Sequence, residues 1–116
     1  MQRCLVEVCK WMLENGVFDI RGIAISAVKQ ERINQDLKWG VQNHSWAEWA
    51  TILGEEYGEF CEAVNETVLN NKTKFELGGY DNMLKEAIHT AAVAVEIIEK
   101  LLEEIKREQR SDCEDL

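Results

Sequence analysis

A long apolar segment near the C-terminus constrains the fold of this chain more than any other feature. From Asp81 to about Glu108 the sequence has neither glycine nor proline, and apolar residues recur on nearly every side of a helix. These residues are Met83, Leu84, Ala87, Ile88, Ala91, Ala92, Val93, Ala94, Val95, Ile97, Ile98, Leu101, Leu102 and Ile105. A helix that is apolar around its circumference is typical of the centre of a bundle. Asp81 is its predicted N-cap, and the polar residues 108–116 are predicted to form a frayed tail.

Three shorter helices are predicted before this segment. Their ranges are Gln2–Glu14, Ile20–Gly40 and Ser45 to about Val68, with a loop over Asn70–Tyr80 before the long helix. Gly16 supplies a C-terminal stop for the first helix. Ser45 and Glu48 have the spacing of a capping box at the start of the third. Since the chain has no proline and its 116 residues are enough for one modest core, we predict a single all-α domain over residues 1–116.

Charge and cysteine content exclude several classes of function. The net charge is −9, and the scattered lysines and arginines form no basic patch for nucleic acid. Any phosphate-bearing partner is expected to arrive with Mg²⁺ or Mn²⁺, because a bound cation inverts the local field. The sequence shows no apolar run of membrane-spanning length, no secretion signal, and no CxxC spacing among its four cysteines. We therefore predict a cytoplasmic protein with reduced thiols, and neither a nucleic-acid polymer nor a membrane as partner.

An acidic patch lies in the middle of the third predicted helix. The segment GEEYGEFCE contains four glutamates on neighbouring turns, Glu55, Glu56, Glu59 and Glu62. Like charges three or four positions apart destabilise a helix by roughly 0.2 to 0.5 kcal/mol per pair. The patch is therefore either a freely solvated face or a site at which a bound cation offsets the repulsion.

Glu86 and His89 on the long helix supply ligands of a kind that suits a metal ion. They lie three positions apart and so share one side of an otherwise apolar surface. A histidine in such a place is often satisfied by a carbonyl or a carboxylate, and this structural role is one interpretation. In the other, two helices packed antiparallel bring the pair together with Glu56 and Glu59 around a divalent ion. Oxygen-rich sites with one imidazole suit Mg²⁺ or Mn²⁺.

Together these residues resemble the motif pair of a known enzyme family. Glu55, Glu56 and Glu59 form EExxE, and Glu86 and His89 follow as ExxH after a gap of 26 residues. The arrangement resembles the EExxE and ExxD motifs of the all-α nucleoside triphosphate pyrophosphohydrolases, the MazG-like superfamily. The resemblance covers about residues 31–102 and includes QDLKWGVQNHSW, which is similar to the region before the first motif in short phage and bacterial members. It implies a bundle built on two long antiparallel helices plus N-terminal helices.

The resemblance also implies an activity and a role for each motif residue. Family members bind Mg²⁺ through these carboxylates and cleave a nucleoside triphosphate between its α and β phosphates, which gives a nucleoside monophosphate and pyrophosphate. On this basis Glu56, Glu59 and Glu86 are metal ligands. Glu55, which the resemblance groups with Glu56 and Glu59 as catalytic, binds a further ion or orients the attacking water. His89 stands where the family usually has Asp, so the site has one negative charge fewer and favours a softer metal.

Four further residues are candidates for contact with the substrate. Lys38 and Lys85 could reach outer phosphate oxygens, although lysines at such positions are commonly plain surface residues. Trp39 and Gln42 could contact the base by stacking and hydrogen bonding, although indole rings more often fill core corners. They lie in the segment WGVQNHSWAEW, which holds three of the four tryptophans.

Two alternative functions belong to other classes. A glutamate on one helix and ExxH on another make half of a ferritin-like di-iron site, which a homodimer could complete. The second alternative is a non-catalytic helical interaction module with a solvated acidic patch. The apolar circumference of the long helix exceeds what three neighbouring helices cover easily, so we predict a homodimer or homotetramer.

Overall fold

Four helices account for the described part of the chain, and no strand occurs there. The computed structural model describes residues 4–17, 19–69 and 79–114, with side chains as far as Ser111. The helices are α1 (Leu5–Asn15), α2 (Ile20–Trp39), α3 (Trp46–Val68) and α4 (Gly79–Glu114). The all-α prediction is therefore confirmed, while most of the predicted loop, residues 70–78, lies outside the described residues. None of these four helices combines the length and apolar character needed to cross a membrane.

The connection between α2 and α3, residues 40–45, is fixed at both ends. Gly40 ends α2 at φ 67°, a left-handed conformation that glycine adopts without strain, and its N–H donates to the Asp36 carbonyl at 2.8 Å. Ser45 Oγ accepts from the Glu48 N–H at 3.2 Å, and Glu48 Oε1 accepts from the Ser45 N–H at 3.0 Å. The predicted capping box is confirmed. These caps hold the intervening residues close to the ends of both helices.

Both ends of α4 differ from the prediction. The helix begins at Gly79, so Asp81 lies in its first turn and does not cap it. The Asp81 carboxylate instead accepts from Lys10 Nζ of α1 at 2.8 Å, and its charge is favourable near a helix N-terminus. At the other end the helix continues to Glu114. The prediction of a frayed tail is therefore wrong for residues 108–114. The segment KREQRSDCE contains no glycine or proline and is rich in helix formers, which explains the continuation.

Helix α4 packs against each of the other three helices, which confirms its predicted central position. The core joins Cys9 of α1, Ile23 and Ala27 of α2 and Ile88 of α4. Two threonines mark where α3 meets α4. The Thr67 hydroxyl lies 2.8 Å from the Ala63 carbonyl oxygen of its own helix and 3.3 Å from that of Gly79, and the Thr90 hydroxyl lies 2.8 Å from the Glu86 carbonyl oxygen of its own helix and 3.1 Å from that of Glu56.

Helices α2 and α3 flank α4 without close backbone contact with each other within the described ranges. A groove therefore remains above the face of α4 that lies between them. This groove is where the polar residues of the three helices meet.

Candidate metal centre

Glu56 of α3 and Glu86 and His89 of α4 form a three-residue cluster. One ligand atom from each side chain lies within 4.8 Å of the others. Glu86 and His89 share a face because they are three positions apart. Thr90 Oγ1 lies 3.1 Å from the Glu56 carbonyl oxygen, so Glu56 is at the same level as this part of α4. Three of the four predicted metal ligands are thus brought together.

Two carboxylate oxygens of this cluster have no hydrogen-bond partner among the described residues. Both Glu56 Oε2 and Glu86 Oε2 are buried from solvent, and His89 Nδ1 is 3.8 Å from the latter, beyond hydrogen-bond distance. A buried polar atom without a partner costs about 1–3 kcal/mol, more when charged, so proteins pair nearly all of them. A divalent cation would satisfy both oxygens, and two carboxylates with one imidazole suit Mn²⁺ or Mg²⁺. The residues of the cluster therefore fit a metal ion.

The electrostatic environment of Glu56 also favours a cation. Burial raises the pKa of its carboxyl group, and the negative charges of Glu59, Glu86 and Glu31 raise it further, against an opposing effect of His89. Without a cation, the ionised form is disfavoured both by lost solvation and by like charge. A bound metal ion reverses that balance.

Glu31 of α2 is a further residue at the cluster, and sequence patterns did not identify it. Its Oε2 atom lies 3.9 Å from His89 Nε2, and its side chain is largely buried. The imidazole therefore faces a carboxylate on each side, Glu86 near Nδ1 and Glu31 near Nε2. No motif spacing links Glu31 to α3 or α4. The sequence signal that could have found Glu31 is helical spacing. Gln35 and Trp39 follow it by one turn and two turns, so all three share one face of α2.

Two predicted site residues, Glu55 and Glu59, lie on the surface of α3. Both are exposed, and neither belongs to the three-residue cluster. Glu59 lies one turn from Glu56 and is close enough to raise its pKa. Their roles as a ligand and as a water-orienting group stay predictions.

The two predicted phosphate-binding lysines have partners in the structure. Lys85 Nζ is 3.6 Å from Glu86 Oε1, and its side chain is half exposed. Lys38 Nζ lies over the Trp39 ring at 4.7 Å from the centroid, which is a cation–π contact. Lys85 is therefore beside the cluster. Lys38 lies on the surface of α2, two turns after Glu31, which is the α2 residue next to the cluster.

A cavity of about 280 Å³ adjoins the cluster. Each of three helices contributes residues at intervals of one turn, and the connection contributes Gln42 and His44. The helical lining residues are Glu31, Gln35 and Trp39 from α2, Trp49, Ile52 and Glu56 from α3, and His89, Val93 and Glu96 from α4. In each helix the residue nearest the cluster and the residue furthest from it are seven or eight positions apart, about 10–12 Å. Glu56 and His89 of the candidate metal centre thus lie at one end of the cavity, which Glu86 does not line.

The opposite end of the cavity is aromatic. Trp49 is buried, and its ring meets that of His44 edge to face, with centroids 4.8 Å apart and an interplanar angle of 89°. Trp39 is half exposed and lines the same space, as does Gln42. The predicted base-contacting residues Trp39 and Gln42 therefore do border the cavity, and Trp49 borders it as well.

A buried arginine joins α2 to α4 at this aromatic end. Arg32 donates to both oxygens of Glu99, from Nη2 at 2.6 Å and from Nε at 3.2 Å. Its Nη1 donates to Asp36 at 3.1 Å and to Gln35 Oε1 at 3.4 Å, and lies 3.9 Å from Glu96 Oε1. The hydrogen bond to Glu99 raises the pKa of Arg32, so this guanidinium is a permanent cation.

Comparisons of this chain with family models, curated proteins and solved structures find no match. The side chains that can bind a cation, and those that can bind an organic group, are therefore the basis for inferring what the protein does.

Proposed function

We propose that this protein is a divalent-metal-dependent nucleoside triphosphate pyrophosphohydrolase, which converts an NTP or dNTP to the monophosphate and pyrophosphate. The observation that carries the proposal is the pair of buried, unpartnered oxygens of Glu56 and Glu86 beside His89, at one end of a cavity. A cation site that opens towards an aromatic pocket suits a ligand with phosphates at one end and a planar ring at the other.

The sequence resemblance to the MazG-like superfamily supports the same class. That resemblance requires antiparallel packing of α3 and α4. The contacts are in keeping with it, since Thr67 near the end of α3 meets Gly79 at the start of α4, while Glu56 meets Thr90. A cytoplasmic role in nucleotide-pool house-cleaning, and a homodimeric or homotetrameric assembly, are part of the proposal.

The residues divide into groups with different tasks. Glu56, Glu86 and His89 would hold Mg²⁺ or Mn²⁺, which when bound neutralises phosphate charge and lowers the pKa of water. Glu59 lies one turn after Glu56 on α3, close enough to raise the pKa of Glu56, and it would complete the ligand set or accept a proton from water. Lys85 lies beside the cluster and would bind an outer phosphate oxygen.

A pyrophosphate-release screen across common and damaged NTPs and dNTPs, with Mg²⁺ and then Mn²⁺, tests the proposal. We expect monophosphate and pyrophosphate in equal amounts, and a loss of at least about a hundredfold in kcat/KM for Glu86→Gln, since a preorganised electrostatic contact is removed. Glu62→Gln is the matched control, because Glu62 is exposed on α3 and loses the same charge. Absence of pyrophosphate release from every nucleotide with either metal would refute the proposal.

A di-iron carboxylate centre is the second candidate, and Glu31 is the observation that favours it. Ferritin-like sites take a glutamate from each of two helices and a Glu-x-x-His pair from each of two others. Here Glu31 and Glu56 come from two helices, and Glu86 with His89 supplies one such pair. Within the described residues the second pair is missing from the cluster. Bound iron with a near-ultraviolet oxo band would favour this candidate, whereas a colourless protein that requires added Mg²⁺ would favour hydrolysis.

A further inference from the structure

Glu96, at the aromatic end of the cavity, is a buried carboxyl group that the proposed hydrolysis does not use. It is 7 % exposed and lines the cavity. Arg32 Nη1 is its nearest cation, at 3.9 Å, but the hydrogen bonds of this guanidinium go to Glu99, Asp36 and Gln35. No described residue donates a hydrogen bond to the Glu96 carboxyl group. It therefore keeps the capacity to accept a hydrogen bond from a ligand in the cavity.

Gln35 adds hydrogen-bond donors to the same cavity, and its side chain and that of Glu96 both approach Arg32 Nη1. Arginine can only donate, so the Gln35 amide must turn its oxygen towards Arg32, as the 3.4 Å contact with Oε1 shows. Its NH₂ group consequently points away from the guanidinium. Gln35 also lines the cavity. Arg32 is thus a positioning residue that orients the amide of Gln35 and faces the carboxyl group of Glu96.

The distance to the three-residue cluster matches a ligand with two chemically different ends. Glu96 lies seven positions after His89 on α4, and Trp49 lies seven positions before Glu56 on α3, so both are about 10 Å from the cluster along their helices. The indole rings of Trp39 and Trp49 offer apolar surface for a planar group. A nucleotide with its phosphates at the cluster would reach Glu96 with its base.

We propose that this end of the cavity selects a nucleobase with an amidine edge, meaning an amino group beside an unprotonated ring nitrogen, as in cytosine and adenine. The amino group donates to Glu96, and the ring nitrogen accepts from the amide of Gln35. Uracil, thymine and hypoxanthine present a carbonyl where the amino group would be, and two acceptors then face each other. The inference rests on the proposed function in assigning the ligand as the base of a nucleotide.

Neutral nucleosides test the base site without metal, phosphate or turnover. Cytidine and uridine, and adenosine and inosine, are titrated against the full chain with tryptophan fluorescence as the readout. We expect cytidine and adenosine to bind at least about tenfold more tightly than their partners, since the wrong base leaves buried acceptors unpaired. Equal affinity within both pairs, or no nucleoside binding at all, overturns the inference.

Two variants assign the selection to named atoms. Glu96→Gln should bring the cytidine-to-uridine and adenosine-to-inosine affinity ratios close to one, because an amide can turn its N–H towards a carbonyl. Glu103→Gln, at an exposed position of the same helix, should leave both ratios unchanged. Gln35→Glu keeps an acceptor for Arg32 but removes the donors, and should weaken cytidine binding about tenfold. If the Glu96→Gln protein keeps its helical content and still prefers cytidine over uridine and adenosine over inosine, Glu96 does not belong to the base site.

Hydrolysis separates this inference from the proposed function. Turnover of CTP and UTP with equal kcat/KM, together with equal nucleoside affinities, would overturn the inference and leave the proposed function standing. If the protein distinguishes the nucleosides but hydrolyses no triphosphate, the proposed function is refuted and the proposed base site is supported.

Discussion

Replacing Glu56 with Gln should change stability in opposite directions without and with metal. In the metal-free protein, one buried oxygen of Glu56 has no hydrogen-bond partner among the described residues, and the Glu86 carboxylate belongs to the same cluster. Glutamine keeps the size of the side chain and removes its charge. We expect the variant to be more stable at pH 7 by about 1 kcal/mol, the low end for a buried unpaired group, because Glu56 is only half-buried and the amide is still polar. For a chain of this length the melting temperature should rise by about 4 °C.

The pH dependence of this difference follows from the raised pKa of Glu56. Its folded-state pKa lies above the ordinary value, because of burial first and Glu59 second. The folded protein therefore binds this proton more tightly than the unfolded chain does. The resulting stability is fully present below the ordinary pKa, about 4.3, and is lost as the pH rises through the folded-state pKa. The advantage of Glu56→Gln should thus exist at pH 7 and disappear in acid.

Metal should reverse the order of the two proteins. A ligand at a hundred times its Kd stabilises the folded state by about 2.7 kcal/mol, which exceeds the gain from removing the charge. Urea unfolding of wild type, Glu56→Gln and the exposed control Glu62→Gln measures both free energies. The titrations in EDTA give the effect of removing the charge, and those in Mn²⁺ give the stabilisation by metal. A Glu56→Gln protein that is less stable than wild type in EDTA, or that Mn²⁺ stabilises as much as wild type, would exclude Glu56 as an unpaired buried ligand.

Four other changes test separate parts of the structure. Glu59→Gln should reduce the rise in melting temperature caused by Mg²⁺ or Mn²⁺, and an undiminished rise would leave Glu59 as a solvated surface residue. His89→Asp should shift metal preference from Mn²⁺ towards Mg²⁺ and increase pyrophosphate release; a variant that melts much earlier in excess Mg²⁺ and turns over no triphosphate would instead assign the imidazole a structural role. In urea titrations Arg32→Met should lower the free energy of unfolding by about 3 kcal/mol, because carboxylates at the α2–α4 contact lose their cation. The control Arg21→Met, at an exposed position, should change it by less than about 0.5 kcal/mol. Light scattering should show at least a homodimer at micromolar concentration, and Leu102→Glu, at an exposed apolar position of α4, should weaken it; a monomeric wild type would contradict the predicted interface.

The helices were largely predictable because their signals are local. Apolar spacing and the caps at Gly16, Gly40 and Ser45 act over a few residues, so the sequence carries them directly. The start of α4 was not predictable in this way. Gly79 is a weak helix former, and its carbonyl oxygen contacts the hydroxyl of Thr67, on another helix, at 3.3 Å.

The candidate site was predictable only where its residues share a helix or a motif. Spacing within one helix pairs Glu86 with His89, and the motif resemblance adds Glu56. Glu31 and Arg32 carry no such signal, because their partners are far away in the chain: Glu31 meets His89, and Arg32 meets Glu99, 67 residues later. Only the packing of α2 on α4 reveals these contacts.

The cavity is framed by unbroken helices, so its depth is set by counting residues. On α4 the residues Glu86, His89, Val93 and Glu96 follow at intervals of three, four and three. Deleting one residue between His89 and Glu96 would rotate everything beyond it by about 100° and turn the carboxyl group out of the cavity, with the cluster left intact. Deleting four would turn the carboxyl group back to within about 40° of its original direction, but would bring it about 6 Å closer to the cluster. Within the helices, changes in ligand choice must therefore come through substitution of side chains, since insertions and deletions of single residues cannot adjust the reach of the pocket gradually. The connection between α2 and α3, which contributes Gln42 and His44, is free of this constraint.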